Sequence, residues 1–375
     1  MGQTVRAVAA SGVETPVAVV DTDVHPTLRP GEDARDYLPE PWRSRRLPPQ
    51  IFTFRVGNVY TTPGSIARTD AMPEDGGAAG SDHALLERQL FKEAGVDMAI
   101  LVPLAGHPMP NPEHEAAVCA AINNWQHETW LGSYDKNARL RGSIRVCSTD
   151  PQLAVAEIER WAGHPRFVQV MVTPNSLVPL GHPSLHPIYA AATRHDLPIA
   201  THITRASGTR LMTPVGDPSY YLEYHPIYCA LYWTHVVSLI FEGVFEKFPT
   251  LKLVLVEGGF SWLVPMVWRM ERYWREFRSD LPNVKRSPAD YVREHVWSTT
   301  QPIEEPPNPA WLGRLIDWIA AGDRLMFSTD YPHWDFDDPH WVLPRLPKAI
   351  REKVMGRNAI ELYKLPSVLR LHDDA

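Results

Sequence analysis

Cysteine is scarce in this sequence of 375 residues, which contains only Cys119, Cys147 and Cys229. The three are widely separated and form no Cys-x-x-Cys pair, which argues against a disulfide framework and against a thiolate metal site. Each cysteine lies in an apolar stretch of the sequence. We therefore expect three reduced residues in the core of the protein.

Long apolar runs and a surplus of basic residues are also missing. No run is long enough to cross a membrane, and the N-terminus lacks the charged and then apolar pattern of a secretory signal. These features predict a cytoplasmic protein without a membrane partner. The 37 Lys and Arg residues are outnumbered by 44 Asp and Glu residues, and the two signs are interspersed. This distribution argues against a nucleic-acid partner and favours a small-molecule substrate.

The apolar segments that are present alternate with helical segments along the chain. Each predicted strand is followed by helical sequence, which predicts a parallel (β/α)8 TIM barrel of the α/β class. A doubly wound open sheet is the alternative, because a sequence cannot show closure. Neither GxGxxG nor GxxxxGK(S/T) follows the first strand, which counts against the nucleotide-binding forms of that fold. The predicted strands cover residues 17–25, 98–103, 140–146, 167–172, 198–203, 251–257, 296–300 and 324–330.

The barrel pattern also predicts how the chain is divided. We expect a flexible N-terminal tail over 1–16, a single metal-dependent barrel domain over 17–365 and a C-terminal tail over 366–375. The interval 26–80 is long and rich in Pro and Gly, which is typical of a functional lid. We predict that this insertion covers the end of the first strand.

Ligand-type side chains stand where several of these strands end. They are Asp23 and His25, His202, Glu257 and Asp330. In a TIM barrel the active site lies at the C-terminal ends of the strands, so these side chains are expected to meet. Several desolvated groups of like charge are unfavourable together unless a cation lies among them. The constellation therefore predicts a metal site.

Four motifs at these strand ends carry a family resemblance. The motifs are Asp23-x-His25, Thr201-His202, Glu257-Gly258-Gly259 and the run Ser-Thr-Asp-Tyr-Pro-His at 328–333. With them the sequence resembles the amidohydrolase superfamily, and within it the amidohydrolase-related (amidohydrolase 2) branch that includes aminocarboxymuconate-semialdehyde decarboxylase and γ-resorcylate decarboxylase. The resemblance runs from about residue 17 to residue 365, and the phrase Gly-Val-Phe-Glu-Lys-Phe-Pro at 243–249 is typical of the branch.

The resemblance implies one divalent metal ion held by Asp23, His25, His202 and Asp330. Binuclear relatives carry a carbamylated lysine after the fourth strand, where this chain has Val-Thr-Pro at 172–174, so a mononuclear site is expected. Two imidazoles and two carboxylates suit Zn²⁺ first, and Mn²⁺ or Fe²⁺ as alternatives. Relatives are often dimers, and the Trp-rich helix over 262–274 carries more apolar surface than one barrel flank needs, which favours a homodimer.

Glu257 stands where the decarboxylases of the branch have a histidine. A glutamate repels a substrate carboxylate unless it is protonated or metal-bound, whereas beside a metal-bound water it is a competent general base. The first hypothesis is therefore a mononuclear hydrolase of an amide, lactone or similar bond in a small, aromatic or acidic molecule. In it Glu257 and Asp330 are the catalytic residues. The structural alternative for Glu257 is a salt bridge to Arg205.

Two other functions stay open at this point. One is a metal-dependent, non-oxidative decarboxylase, a carboxy-lyase of an aromatic or unsaturated carboxylic acid. The other is a non-catalytic barrel that keeps the metal as structure or binds a ligand. Four side chains near the strand ends are the candidate substrate contacts, with Arg205 as the anchor for a carboxylate: Arg205, His235, His333 and Trp334.

Overall fold

Eight short segments rich in Val, Ile and Leu form parallel strands that hydrogen-bond in sequence order. The N–H of Thr22 donates to the carbonyl of Phe327 (3.1 Å), and Val24 bridges to Tyr331, so the eighth strand returns to the first. This closure confirms the predicted (β/α)8 barrel and rules out the open sheet. The strands are β1 (Val20–Val24), β2 (Met98–Leu101), β3 (Leu140–Arg145), β4 (Phe167–Val172), β5 (Ile199–His202), β6 (Leu253–Val256), β7 (Val296–Thr299) and β8 (Leu325–Met326).

The computed structural model describes residues 18–45, 66–106, 108–203, 219–220, 223–227 and 229–366. The predicted N-terminal tail, all but the first residue of the predicted C-terminal tail, and Arg205 lie outside these described residues. So does the middle of the 26–80 insertion, at 46–65.

Helices connect the strands, and several begin where the sequence supplies a cap. Asp82, Asn111 and Asp150 each accept two N–H groups of the helix that follows, which satisfies donors that a helix start leaves unpaired. The helices are α1 (His83–Leu86), α2 (Pro112–Trp125), α3 (Pro151–Trp161), α4 (His186–Arg194), α5 (Tyr224–Ile227), α6 (Cys229–Phe241), α7 (Val244–Lys247), α8 (Leu263–Glu276), α9 (Pro288–His295), α10 (Ala310–Trp318), α11 (Pro339–Val342), α12 (Lys348–Glu352) and α13 (Asn358–Tyr363), with π-helical continuations of α1 over Glu87–Glu93, of α2 over Gln126–Tyr134 and of α12 over Lys353–Arg357. Within the described ranges no helix is both long and apolar enough to cross a bilayer.

The core has two layers because successive strand residues face opposite sides of the barrel wall. One layer fills the barrel interior, and the other packs between the wall and the helices. The C-terminal helix closes the N-terminal end of the barrel: Tyr363 donates its hydroxyl to Gln169 (2.8 Å), and the Asn358 amide donates to the Leu325 carbonyl (2.7 Å). The opposite end, where the strands terminate, carries the polar residues.

The barrel wall is interrupted between β2 and β3. The two strands pair only at Ala99–Leu140 and Ile100–Arg141. Beyond that point Gln126 exchanges hydrogen bonds with the backbone of Ser143, and Asn123 does the same with the backbone of Arg145. Amide side chains from α2 and its continuation therefore replace strand partners, and α2 lies close to the mouth of the barrel.

Candidate metal centre and active site

The C-terminal ends of β1, β5 and β8 bring four of the predicted ligands together. Asp23 and His25 lie at the end of β1, His202 ends β5, and Asp330 follows β8. All four are at most 2% exposed. Each offers one ligand atom, and these atoms lie within 4.8 Å of one another. The arrangement is the one that the sequence predicts for a metal centre.

Hydrogen bonds to backbone carbonyls fix the tautomers of the two histidines. Nδ1 of His25 lies 2.8 Å from the Val102 carbonyl, and Nδ1 of His202 bonds the Ile203 carbonyl. A carbonyl only accepts, so each Nδ1 carries a proton, and Nε2 is the ring nitrogen that each histidine directs into the cluster. Burial, together with nearby His25, lowers the pKa of His202 well below its usual value, which keeps that ring neutral.

Nε2 of each histidine faces carboxylate oxygens. Nε2 of His25 lies 2.6 Å from Oδ1 of Asp330, and Nε2 of His202 lies 3.4 Å from Oδ2 of Asp23. A divalent cation among these atoms would accept lone pairs from both ring nitrogens and from the carboxylates. Both Asp23 oxygens, Nε2 of His202 and Oδ2 of Asp330 are buried and have no hydrogen-bond partner among the described residues. Unsatisfied buried polar atoms are rare in proteins. Two imidazoles and two carboxylates thus fit a divalent ion.

Burial and the short distances between these groups disfavour the ionised form of the two carboxyl groups. Burial raises the pKa of Asp23 to about 7. Burial raises the pKa of Asp330 well above its usual value, and the nearby Asp335 and Asp23 carboxyl groups add to the effect. A bound cation reverses this tendency because it stabilises the ionised form of both groups.

Asp21 holds the two strand ends that carry Asp23 and Asp330. Its Oδ1 accepts from the N–H of Asp23 (3.1 Å) and of Thr329 (3.0 Å), and its Oδ2 accepts from the Thr329 hydroxyl (2.5 Å). Asp330 has a φ of 62°, an unusual value for a residue other than glycine. No role of Asp21 is predicted from the sequence, although a carboxylate inside an apolar run indicates that a partner group pairs with it.

Glu257 lies on the other side of the cluster, after β6. It is 5% exposed, and its Oε2 lies 3.1 Å from Nε2 of His202. Carboxylate oxygens of Glu257, Asp330 and Asp335 also lie within 4.8 Å of one another. Burial, then Asp330 and Asp335, raise the pKa of Glu257 well above its usual value. Glu257 is therefore a proton-holding group unless a cation beside it favours ionisation.

The glycine after Glu257 is explained by its neighbour on α6. A Cβ on Gly258 would lie 2.2 Å from ring atoms of Tyr232. The Tyr232 hydroxyl lies 2.8 Å from the Thr201 carbonyl and 2.6 Å from the Val256 carbonyl, so it links the ends of β5 and β6. This contact fixes the distance between His202 and Glu257.

The four predicted substrate contacts have different locations. His333 lies at the site: its Nδ1 is 2.7 Å from Oδ1 of Asp330, and its ring stacks on His25 at a centroid distance of 4.6 Å. The indole of Trp334 is about half exposed, at 48%, and the Trp334 backbone N–H donates to the Ile66 carbonyl. Arg205 lies outside the described residues.

His235 requires a correction. It is buried, its Nε2 lies 2.7 Å from the Pro174 carbonyl, and its Nδ1 accepts the N–H of Leu180 (3.2 Å). Both ring nitrogens are therefore used by the backbone of the segment after β4. The structure assigns His235 to holding that segment in place, and no ring nitrogen is left to contact a substrate.

A cavity of about 280 Å³ opens beside His25 and His333. It lies between the loops that follow β1, β2 and β8 and the face of α2. Its volume is near the lower end of the range for small-molecule sites, about 300–1,000 Å³. Apolar side chains dominate the lining, which favours a flat, largely apolar ligand: Pro26, Leu28, Ala34, Ile66, Ala67, Met72, Ala78, Ala79, Pro103, Leu104, Ala105, Ala121, Ile122, Trp125 and Pro332, with Thr27.

Comparison with known proteins gives a family and several relatives. The family profile described as Amidohydrolase matches residues 20–365. Gamma-resorcylate decarboxylase from Polaromonas sp. (strain JS666 / ATCC BAA-500) is 27% identical over 247 residues, which cover 60% of this chain and 71% of that protein.

Two solved structures show the same fold over nearly the whole chain. The 5-carboxyvanillate decarboxylase from Sphingomonas paucimobilis is 21% identical with a TM-score of 0.67, and the alignment covers 93% of this chain and 100% of that one. Dihydroxybenzoic acid decarboxylase from Polaromonas sp. JS666, with bound manganese and the inhibitor 2-nitroresorcinol, is 20% identical with a TM-score of 0.62, covering 95% and 99%. Since the family profile extends over almost the entire barrel, this chain belongs to the amidohydrolase family.

Proposed function

We propose that this protein is a metal-dependent, non-oxidative decarboxylase of a small aromatic carboxylic acid. The observation that carries the proposal is the buried cluster of Asp23, His25, His202 and Asp330 next to an apolar cavity. The cavity volume suits one substituted aromatic ring. Relatives named as decarboxylases of aromatic acids support the same choice.

In this reaction the bond between the ring and the carboxylate breaks, CO₂ leaves, and the electron pair on the ring carbon takes up one proton. A divalent ion held by the four ligands would supply positive charge for the anionic oxygens of the acid. Glu257 is the proposed proton donor, because burial and the neighbouring Asp330 and Asp335 carboxyl groups raise its pKa and so favour its protonated form. A protonated Glu257 carries no charge, so the repulsion expected between a charged Glu257 and the substrate carboxylate does not arise.

The walls of the cavity exclude water from the ring. Half of the lining residues come from the 26–80 insertion, which supports the predicted lid. His333 bonds Oδ1 of Asp330 and lines the cavity, so it is proposed both to orient that carboxylate and to contact the substrate. Trp334 stays a proposed substrate contact on the same loop.

The hydrolase predicted from the sequence is the second candidate, and one observation favours it. Oε2 of Glu257 lies beside Nε2 of His202, one of the atoms that would hold the metal. If the metal keeps Glu257 ionised, the carboxylate can act as a base toward water. In that case an ester, amide or lactone is cleaved and no CO₂ is formed.

One assay separates the two functions. Protein purified without chelator is first analysed for bound metal: Zn²⁺ is the first prediction from the sequence, with Mn²⁺ or Fe²⁺ as alternatives, and the manganese bound in a relative favours Mn²⁺. The metal-loaded protein is then incubated with 2,6-dihydroxybenzoate, 5-carboxyvanillate and a panel of aryl esters and lactones. CO₂ release from an acid supports the decarboxylase. Ester or lactone cleavage without CO₂ release supports the hydrolase and contradicts the first proposal.

The predicted homodimer and cytoplasmic location also remain proposals. Trp268 on α8 and Trp318 on α10 are each 57% exposed, and their ring centroids are 5.7 Å apart. Exposed aromatic surface of this kind is typical of interaction sites. Sedimentation velocity on the purified protein would distinguish a dimer from a monomer.

A further inference from the structure

Arg145 is a buried cation with no ion pair among the described residues, although the charge of Glu115 on α2 acts on it. It ends β3 and is 2% exposed. Leu140 and Ile144 belong to the outer core layer, so the alternation along the strand directs Arg145 into the barrel. Its guanidinium donates to the Gly106 carbonyl (3.0 Å), whereas Nε has no acceptor and no ion pair forms within the described ranges. Burying an unpaired charge is unfavourable, and burial lowers the pKa of this guanidinium.

Arg145 lies next to residues that line the cavity, although it is not itself part of the lining. A Cβ on Gly106 would lie 3.2 Å from Cγ and Nε of Arg145 and 3.2 Å from Cδ1 of Ile122, which lines the cavity. Leu104 and Ala105, next to Gly106, line the same cavity.

The barrel order places opposite charges on opposite sides of the mouth. The eight strands follow one another in sequence order, so β3 lies across the barrel from β7. The ends of β6 and β8 lie on either side of β7. Those two ends carry Glu257, Asp330 and Asp335. The acidic side thus faces the side with Arg145, and the cavity runs along the ends of β1 and β2, with Pro332 and His333 after β8 at its other edge. A substrate that bears one negative group has a preferred orientation in such a site.

Building on the proposed function, we propose that Arg145 binds the carboxylate of the aromatic acid and orients it toward β3. The attached ring carbon is then turned toward Glu257, which supplies the proton. Arginine suits this role because its planar fork of donors matches a carboxylate, and Nε is one of the two donors that bidentate pairing uses. The partner that the guanidinium lacks within the protein is supplied by the substrate.

The test compares an acid with its uncharged amide. Binding of 2,6-dihydroxybenzoate and 2,6-dihydroxybenzamide to the metal-loaded protein is measured by isothermal titration calorimetry. We expect the wild type to prefer the acid by about tenfold or more, as a charge-assisted hydrogen bond predicts. In Arg145→Gln the preference should fall close to one, because affinity for the acid is lost while affinity for the amide is kept.

Arg141 offers a matched control. It is also buried on the inner face of β3, four residues earlier, and it donates to the carbonyls of Ala138 and Leu140. At about 3.3 Å per residue it lies about 13 Å nearer the closed end of the barrel. Arg141→Gln should keep the acid preference of the wild type. The metal-to-chain ratio is measured for each variant.

Several results would overturn the inference. These are an unchanged acid preference in a metal-loaded Arg145→Gln variant, an equal loss in Arg141→Gln, or a wild type that binds both ligands equally or neither. If the glutamine variant does not fold, Arg145→Lys decides. It keeps the charge but lacks the fork, so affinity for the acid alone should fall several-fold, and an equal change for both ligands contradicts the proposal.

The CO₂ assay keeps this inference separate from the proposed function. If the protein releases CO₂ and the Arg145→Gln variant still prefers the acid to the amide as the wild type does, only the role of Arg145 is refuted. A protein that binds the acid through Arg145 but releases no CO₂ would refute only the decarboxylase.

Discussion

Two buried histidines, His202 and His235, show at the residue scale how hydrogen-bond partners decide the role of an imidazole. His202 has one nitrogen bonded to backbone and the other facing carboxylates, whereas both nitrogens of His235 bond the backbone. We predict that His202→Ala loses most of the bound metal, because one of four ligands is removed. His235→Ala should be less stable yet keep about one metal ion per chain. Elemental mass spectrometry measures both, and near-full occupancy in His202→Ala would contradict the ligand assignment.

Glu257 provides the second prediction at this scale. Glu257→Gln keeps the shape of the side chain but cannot give or take the proton, so turnover should fall by about 10²-fold or more with metal content unchanged. Glu271→Gln is the control. Glu271 lies on α8, and its Oε1 accepts from the backbone N–H of Ala289 (2.9 Å), away from the cluster and from Arg145. Wild-type turnover in Glu257→Gln would return Glu257 to a structural role.

Single residues also show which parts of the candidate site can be predicted from the sequence. Asp23, His25, His202 and Asp330 could be located because each stands at the end of an apolar strand, and the geometry of a barrel brings such ends together. The role of Asp21 could not be found in this way. Its partner Thr329 is 308 positions away, and only the closure of β8 on β1 creates the contact. The same holds for His235, whose partners lie 55 and 61 positions away.

At the scale of elements, the seam between β1 and β8 sets the position of the candidate ligands. The Thr329 hydroxyl donates to Asp21 and accepts the N–H of Tyr331. Thr329→Val removes both bonds next to Asp330. We expect a loss of about 1–3 kcal/mol in the free energy of unfolding and a decrease of about 10–100-fold in metal affinity.

Thr22 is the matched control at the same seam. Its buried hydroxyl donates to the Phe327 carbonyl (2.8 Å) and does not touch Asp330. Thr22→Val should lower stability by a similar amount in denaturant unfolding, with metal affinity close to that of the wild type. Equal losses of metal affinity in the two variants would mean that the seam acts only through general stability.

The strand lengths show which strand ends can be predicted from the sequence and which cannot. Alternation and apolar content predict β3 and β4 within one residue of their observed ends. The eighth strand is shorter than predicted, Leu325–Met326 instead of 324–330. The N–H of Phe327 donates to the Val354 carbonyl instead of to a neighbouring strand, and Asp330 adopts a positive φ. These are contacts of the folded chain that leave no periodic pattern in the sequence.

At the scale of the whole molecule, the proposed ligands connect parts of the chain that are far apart. His25 and Asp330 are separated by 305 positions, and β5 contributes the fourth group from the opposite half of the barrel. Removing the metal leaves buried carboxylates of like charge without a counterion. A ligand at 100 times its dissociation constant stabilises the folded state by about 2.7 kcal/mol.

Chelation should therefore lower the melting temperature by roughly 3 °C, and adding the metal back should restore it. Differential scanning calorimetry with and without EDTA measures the change, and His202→Ala is the control that should not respond. A wild-type melting temperature unaffected by chelation, in protein whose metal loss is verified, would contradict a metal that ties the strands together.

The amide side chains that fill the gap between β2 and β3 couple the backbone of β3 to the helix beside the cavity. Hydrogen exchange in β3 can therefore report whether a ligand occupies the cavity. The N–H groups of Ser143 and Arg145 donate to side chains of Gln126 and Asn123, which belong to the helical segment that borders the cavity. Their hydrogen exchange then depends on how firmly that helix is docked. A ligand in the cavity should slow exchange at these two amides more than at Val170, which donates to the backbone of Pro198. Occupancy of the site could thus be followed by NMR from the wall of the barrel, without a spectroscopic label on the ligand or the metal.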